Sequence, residues 1–135
     1  MNILRICLLM LACAGIAAAE EPENRTFTAT TDADGVQRVS IVGGEYYFDP
    51  NLIIVKVNVP VELSVRKEAG IVPHSIEMHS PEAGMQFEES LESGPRTIRF
   101  TPTKTGRYPF SCTKRFLFFR SHADRGMKGM IEVTE

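Results

Sequence analysis

A cysteine, a histidine and two methionines crowd between two strand-like runs near the C-terminus, and any fold this chain adopts must carry them on one loop. The stretch runs Tyr108-Pro-Phe-Ser-Cys112, then Thr113 to Ser121, then His122-Ala-Asp-Arg-Gly-Met127-Lys-Gly-Met130-Ile-Glu-Val133. A second histidine lies upstream, in Val72-Pro73-His74-Ser75-Ile76. One thiolate, two imidazoles and one thioether are the donors of a mononuclear type 1 copper site, in which two nitrogens and a sulfur form a trigonal plane with a weak axial methionine.

The cysteine count sharpens that reading. Met1-Asn2-Ile3-Leu4-Arg5 precedes an apolar run from Ile6 to Ala19, and Ala17-Ala18-Ala19 stands before Glu20. One positive charge, a short apolar core and small residues at its end describe a secretory signal peptide. The run is too short for a comfortable membrane span. Cleavage is expected after Ala19, leaving Glu20 to Glu135 in the periplasm or outside the cell. The rival is a lipoprotein anchored through Cys13 in Met10-Leu11-Ala12-Cys13. Either route takes Cys7 and Cys13 out of the folded part and leaves Cys112 as its one free thiol. Secreted proteins seldom keep an unpaired cysteine. A small buried hydrophobe is the plain alternative, but a cysteine beside a histidine and methionines is better read as a ligand.

The rest of the chain punctuates itself into short strands. Residues 20–35 form a polar lead or a first hairpin strand, with Asp32-Ala-Asp-Gly35 as its turn and Val36 to Val42 as the returning strand. Tyr46-Tyr47-Phe48 is a short aromatic run before the turn Asp49-Pro50-Asn51. Leu52 to Val59 and Val61 to Arg66 read as a strand pair, with Pro60 marking an edge or corner between them. His74 to His79, Arg96 to Phe100, Arg107 to Ser111 and Met130 to Thr134 read as further strands, and Met85 to Leu91 as a connection. Lys114 to Arg120 reads as a loop or a single helical turn. Short strands divided by Gly and Pro turns favour an all-β sandwich. The formal net charge of −2, with acids and bases interspersed, gives no footing for nucleic acid.

Taken together, the Pro73-His74 strand, the Gly106-Arg-Tyr-Pro-Phe-Ser-Cys112 strand, His122-x4-Met127 and Gly126-Met-Lys-Gly129 resemble the cupredoxins, the plastocyanin, azurin and pseudoazurin group. The likeness covers roughly Val36 to Val133 and implies that 36–135 is a Greek-key β-sandwich domain holding one copper ion on His74, Cys112, His122 and Met127. In that family an asparagine follows the first histidine and ties the two ligand loops together; here Ser75 stands there and is expected to tie them less completely. By the same resemblance His122 is expected at the exposed edge and His74 inside.

Other residues compete for the ligand places. Met130 rivals Met127 as the axial donor, though its position suits a core-facing residue of the last strand. His79 would lie roughly 16 Å beyond His74 on a strand that rises about 3.3 Å per residue. Glu77 is a carboxylate alternative for the axial place.

Nine residues, Thr113 to Ser121, separate Cys112 from His122, more than in the familiar members. A longer loop closes at small entropic cost, about 0.6 kcal/mol per doubling. Its Phe116, Phe118 and Phe119 either pack over the sandwich end and shield the site, or stand exposed among Lys114, Arg115 and Arg120. The exposed form would suit an acidic redox partner or a membrane surface.

The functional expectation is a monomeric one-electron carrier, not an enzyme, that meets a redox partner. The alternative is a copper chaperone or sequestering module exchanging metal with a donor or acceptor protein, with Met78, Met85 and Met130 as supplementary ligands. Catalytic copper is disfavoured, since four protein ligands leave no open position.

Overall fold

The computed structural model describes residues 24–115 and 117–135. The leader expected at 1–19, with Cys7 and Cys13, lies outside them. Ten strands are present among the described residues: β1 (Thr26–Thr28), β2 (Gln37–Gly44), β3 (Tyr47–Asp49), β4 (Leu52–Lys56), β5 (Val61–Lys67), β6 (His74–Ser80), β7 (Met85–Leu91), β8 (Arg96–Phe100), β9 (Gly106–Ser111) and β10 (Lys128–Thr134). They form a six-stranded sheet, β1-β4-β10-β9-β6-β7, and a four-stranded sheet, β3-β2-β5-β8. Every connection except β2–β3, β6–β7 and β9–β10 passes from one sheet to the other. The chain is therefore the all-β sandwich its strand and turn pattern implies.

Alternation builds the core. Val39 and Ile41 of β2, Val61, Leu63 and Val65 of β5, and Ile131 and Val133 of β10 are buried, while the residues between them face outward. Burial on every second residue is the period of a sheet with one wet face. Phe48 and Phe110 meet edge to face between the sheets, with centroids 5.1 Å apart. Gly129 sits against that ring: a Cβ there would lie 2.1 Å from Phe110 Cζ.

Three expectations need correction. Residues 26–42 do not form a hairpin. β1 pairs in parallel with β4 in the other sheet, and only Thr31 and Gln37 bridge across the Asp32–Gly35 turn. The strand expected over Leu52–Val59 ends at Lys56, and the chain then crosses between sheets at Pro60, the corner expected there. Gln37 seals that corner. Its buried side chain donates to the carbonyls of Lys56 and Val59 and accepts from the Lys56 amide. Met85–Leu91 is an edge strand along β6, and the solvated face of an edge explains its polar look.

Candidate metal centre

Strand register brings distant residues to one end of the sandwich. β6 runs antiparallel to β9 with Glu77 opposite Ser111, and β9 runs antiparallel to β10 with Ser111 opposite Lys128. The start of β6, the end of β9 and the start of β10 therefore lie together. His74 opens β6, Cys112 follows β9, and Met127 precedes β10. His122 caps a short 3-10 turn, Ala123–Arg125, on the connecting loop.

The loop's backbone folds back on the residues it carries. The Cys112 amide donates to the Met127 carbonyl at 3.1 Å, Met127 to His122 at 2.9 Å, and Ala123 to Cys112 at 2.9 Å. The His122 amide donates to the Lys114 carbonyl at 2.8 Å, which closes the base of the segment between them. Asp124 accepts from the amide and hydroxyl of Ser121, and those bonds hold its carboxyl below the usual range. These bonds fasten Cys112, His122 and Met127 to one another across the loop.

His74 Nδ1 lies 3.2 Å from His122 Nδ1, and His122 Nδ1 lies 3.4 Å from Cys112 Sγ. The three side chains offer donor atoms all within 4.8 Å of one another. Cys112 is a free, fully buried thiol and Met127 is fully buried. Burial pushes the His74 pKa below its ordinary value, with His122 and Lys67 acting the same way against Glu45. Burial lowers His122 as well, and Arg125 adds to it. Both rings are therefore held as lone-pair donors. Two neutral imidazoles that face each other through the same nitrogen need a shared proton or a cation between them. A soft or borderline cation beside a thiolate satisfies all three, so this donor set fits copper.

The two histidines differ less than expected: His74 is 5% exposed and His122 6%. Tyr46 explains the cover over His122, its ring lying edge-on at 5.2 Å. Arg125 stacks above Tyr46 at 4.8 Å and donates to its hydroxyl at 2.9 Å.

The tie between ligand loops is fuller than Ser75 alone promised. The Ser75 amide donates to Cys112 Sγ at 3.3 Å. Its hydroxyl lies 2.8 Å from Glu77 Oε1 and 3.7 Å from Cys112 Sγ. The single hydroxyl proton goes to the carboxylate, the shorter and charge-assisted bond. Thr113 donates to the same Glu77 oxygen, so Glu77 links the His74 strand to the Cys112 loop. Glu77 Oε1 is thereby committed to these two hydroxyls.

The other candidates are placed differently. Met130 is not core-facing, since it is half-buried on the face of β10 opposite Ile131. It pairs with Leu52 and Pro109 along the strands, whereas Met127 is bonded through its backbone to His122 and Cys112. Met78 and Met85 are buried in the core. His79 is exposed on β6, opposite Gln86.

Leu117, Phe118 and Phe119 do not shield the site; all three are exposed. Phe116 lies outside the described residues. Phe119 instead borders an apolar cleft of about 450 Å³, with His122 among its lining residues.

A protein family described as cupredoxin-like domain matches residues 5–128. No curated protein matches the chain in sequence. Among solved structures, the metal-binding domain of the Cu(I)-exporting P-type ATPase CopA of Streptococcus pneumoniae D39, with Cu(I), is 23% identical with a TM-score of 0.60, covering 84% of this chain and all (100%) of that one. Auracyanin A of Chloroflexus aurantiacus, a "blue" copper protein, is 19% identical with a TM-score of 0.55, covering 74% of this chain and 100% of that one. The periplasmic domain of subunit II of cytochrome oxidase from Bradyrhizobium japonicum is 19% identical with a TM-score of 0.54, covering 73% and 83%. At these identities the structural likeness is one of fold.

Proposed function

This chain belongs to the cupredoxin-like domain family, and on that footing we propose that it binds one copper ion through His74, Cys112, His122 and Met127 and serves as a one-electron carrier. Bound copper would supply a Cu(I)/Cu(II) couple, with the Cys112 thiolate as the covalent route to it. The observation that carries the reading is the contact of Cys112 Sγ with His122 Nδ1 at 3.4 Å inside a buried, backbone-pinned loop. A carrier needs ligands that move little between oxidation states. Here His74 and His122 are held neutral, the Ser75 amide fixes the sulfur, and Met127 is locked between its neighbours.

We read the protein as a carrier rather than an enzyme, exported through its leader to the periplasm or beyond, and acting with a separate redox protein. Electrochemistry of the copper-loaded protein tests this. A reversible one-electron wave that survives repeated cycling supports the carrier. Loss of the metal on each reduction sinks it.

One observation favours a second reading, copper handling. The cleft over His122 offers a route by which a partner's ligands reach the site, and the CopA domain of like fold holds Cu(I). Transfer of Cu(I) to a chelator faster than from a buried four-ligand site would decide for it.

A further inference from the structure

The end of the sandwich that carries the site also presents an apolar and basic rim that metal binding does not use. Leu117 is 66% exposed, Phe118 89% and Phe119 50%. The rings of Phe118 and Phe119 lie 5.6 Å apart and form one apolar surface. Across the cleft, Ile71 on the loop between β5 and β6 is 99% exposed. Scattered exposed apolar residues are ordinary, but a contiguous group at one end is not.

The cations are placed around that group. Lys114 and Arg115 precede the apolar run, Arg120 follows it, and Arg125 stands on Tyr46. All four line the cleft, and no carboxylate lies among its described lining residues. The cleft is thus basic although the chain as a whole carries a net charge of −2.

We propose that this end docks on an anionic phospholipid surface, with Leu117, Phe118 and Ile71 entering the headgroup region and Lys114, Arg115, Arg120 and Arg125 meeting lipid phosphates. The bilayer interface offers a matching pair of layers, acyl boundary below and charged headgroups above. An acidic protein would satisfy the cations equally well. The apolar side chains decide between them. Protein interfaces anchor on residues seated in well-packed pockets, whereas side chains as fully exposed as Ile71 and Phe118 suit a medium that closes around them. Docking this way turns the cleft over His122 toward the membrane. The inference rests on the surface alone and holds with or without copper.

The test is co-sedimentation of the processed protein, metal-free and copper-loaded, with vesicles of phosphatidylcholine alone or with about one third phosphatidylglycerol. Binding to the anionic vesicles is expected to be at least about tenfold tighter and to weaken with salt. The pair Leu117→Ser with Phe118→Ser, and separately Arg115→Gln with Arg120→Gln, should each weaken it about tenfold or more. These residues are exposed, so thermal midpoints should hold; Ile71→Ser on the opposite loop provides an independent third variant. No binding to anionic vesicles overturns the proposal. So does binding equal on both vesicle types, or unchanged in all three variants. Binding to immobilised polyglutamate without binding to vesicles would overturn it in favour of an acidic protein.

Discussion

The backbone N–H of Ser75 donates to Cys112 Sγ at 3.3 Å, so the strand carrying His74 directly touches the sulfur on the last loop. The two partners lie 37 positions apart in the sequence. Their contact is a product of sheet register, and it makes the sulfur's surroundings depend on residues far from the ligand loop.

Glu77 is the first place where that dependence can be measured. Glu77→Ala removes the acceptor shared by the Ser75 and Thr113 hydroxyls. Stability should fall by about 1 kcal/mol in urea unfolding, discounted from a charge-assisted bond because the group is partly exposed. The released Ser75 hydroxyl, 3.7 Å from Cys112 Sγ, is free to turn to the sulfur. A second donor draws charge from the thiolate and should raise the copper reduction potential. Glu77→Gln keeps an acceptor and should do less. Unchanged stability and potential in Glu77→Ala would show that the link is idle.

Gly43 on β2 holds open the space beside Met127. A Cβ there would lie 2.5 Å from Leu91 Cδ1 and 3.2 Å from Met127 Cε. Gly43→Ala should cost about 1–3 kcal/mol from overpacking and displace the thioether. The copper spectrum and potential should then shift, as axial ligands tune both. Gly94→Ala, with nothing within 4 Å of the added carbon, should leave them unchanged. Equal spectra for the two variants would count against Met127 as the axial ligand.

Acid should loosen the metal-free protein before it reaches the carboxylate range. His74 and His122 are held below the usual value of 6.5 in the fold, while the unfolded chain titrates near it. Below that value the unfolded state binds more protons, so their contribution to stability is complete above pH 6.5 and is lost as pH falls toward the folded values. The urea midpoint should drop as pH falls below about 6.5. Replacing both histidines with Gln should flatten the change in that window. A midpoint that rises on acidification would reverse the assignment.

The parts of the site readable in the chain are those that are local. Cys112, His122 and Met127 stand within one loop, and their donor chemistry is visible in their names. His74 is legible only as a partner of that loop. What escaped is what packing creates. Tyr46 covers His122 from the turn between β2 and β3, and nothing in its aromatic run points to the far end of the chain. Glu77 looks like a spare carboxylate until register sets it opposite Ser111, within reach of Thr113. Strands rich in β-branched residues such as Leu52–Lys56 and Val61–Lys67 announce themselves, but which sheet each joins is fixed by the crossing at Pro60. Met85–Leu91 hides because its outward residues are those of an edge strand. The loop from Thr113 to Ser121 is legible as apolar and basic, but the exposure of Leu117, Phe118 and Phe119 is plain only in three dimensions.

The most direct measurement is the visible absorption of the protein titrated with Cu(II), beside its Cys112→Ser variant. An intense charge-transfer band is predicted to saturate at one copper per chain, bleach on reduction, return on oxidation, and be absent from the variant. A band of full strength in Cys112→Ser, or no copper bound by the unaltered protein, would contradict a thiolate–copper centre at this end of the sandwich.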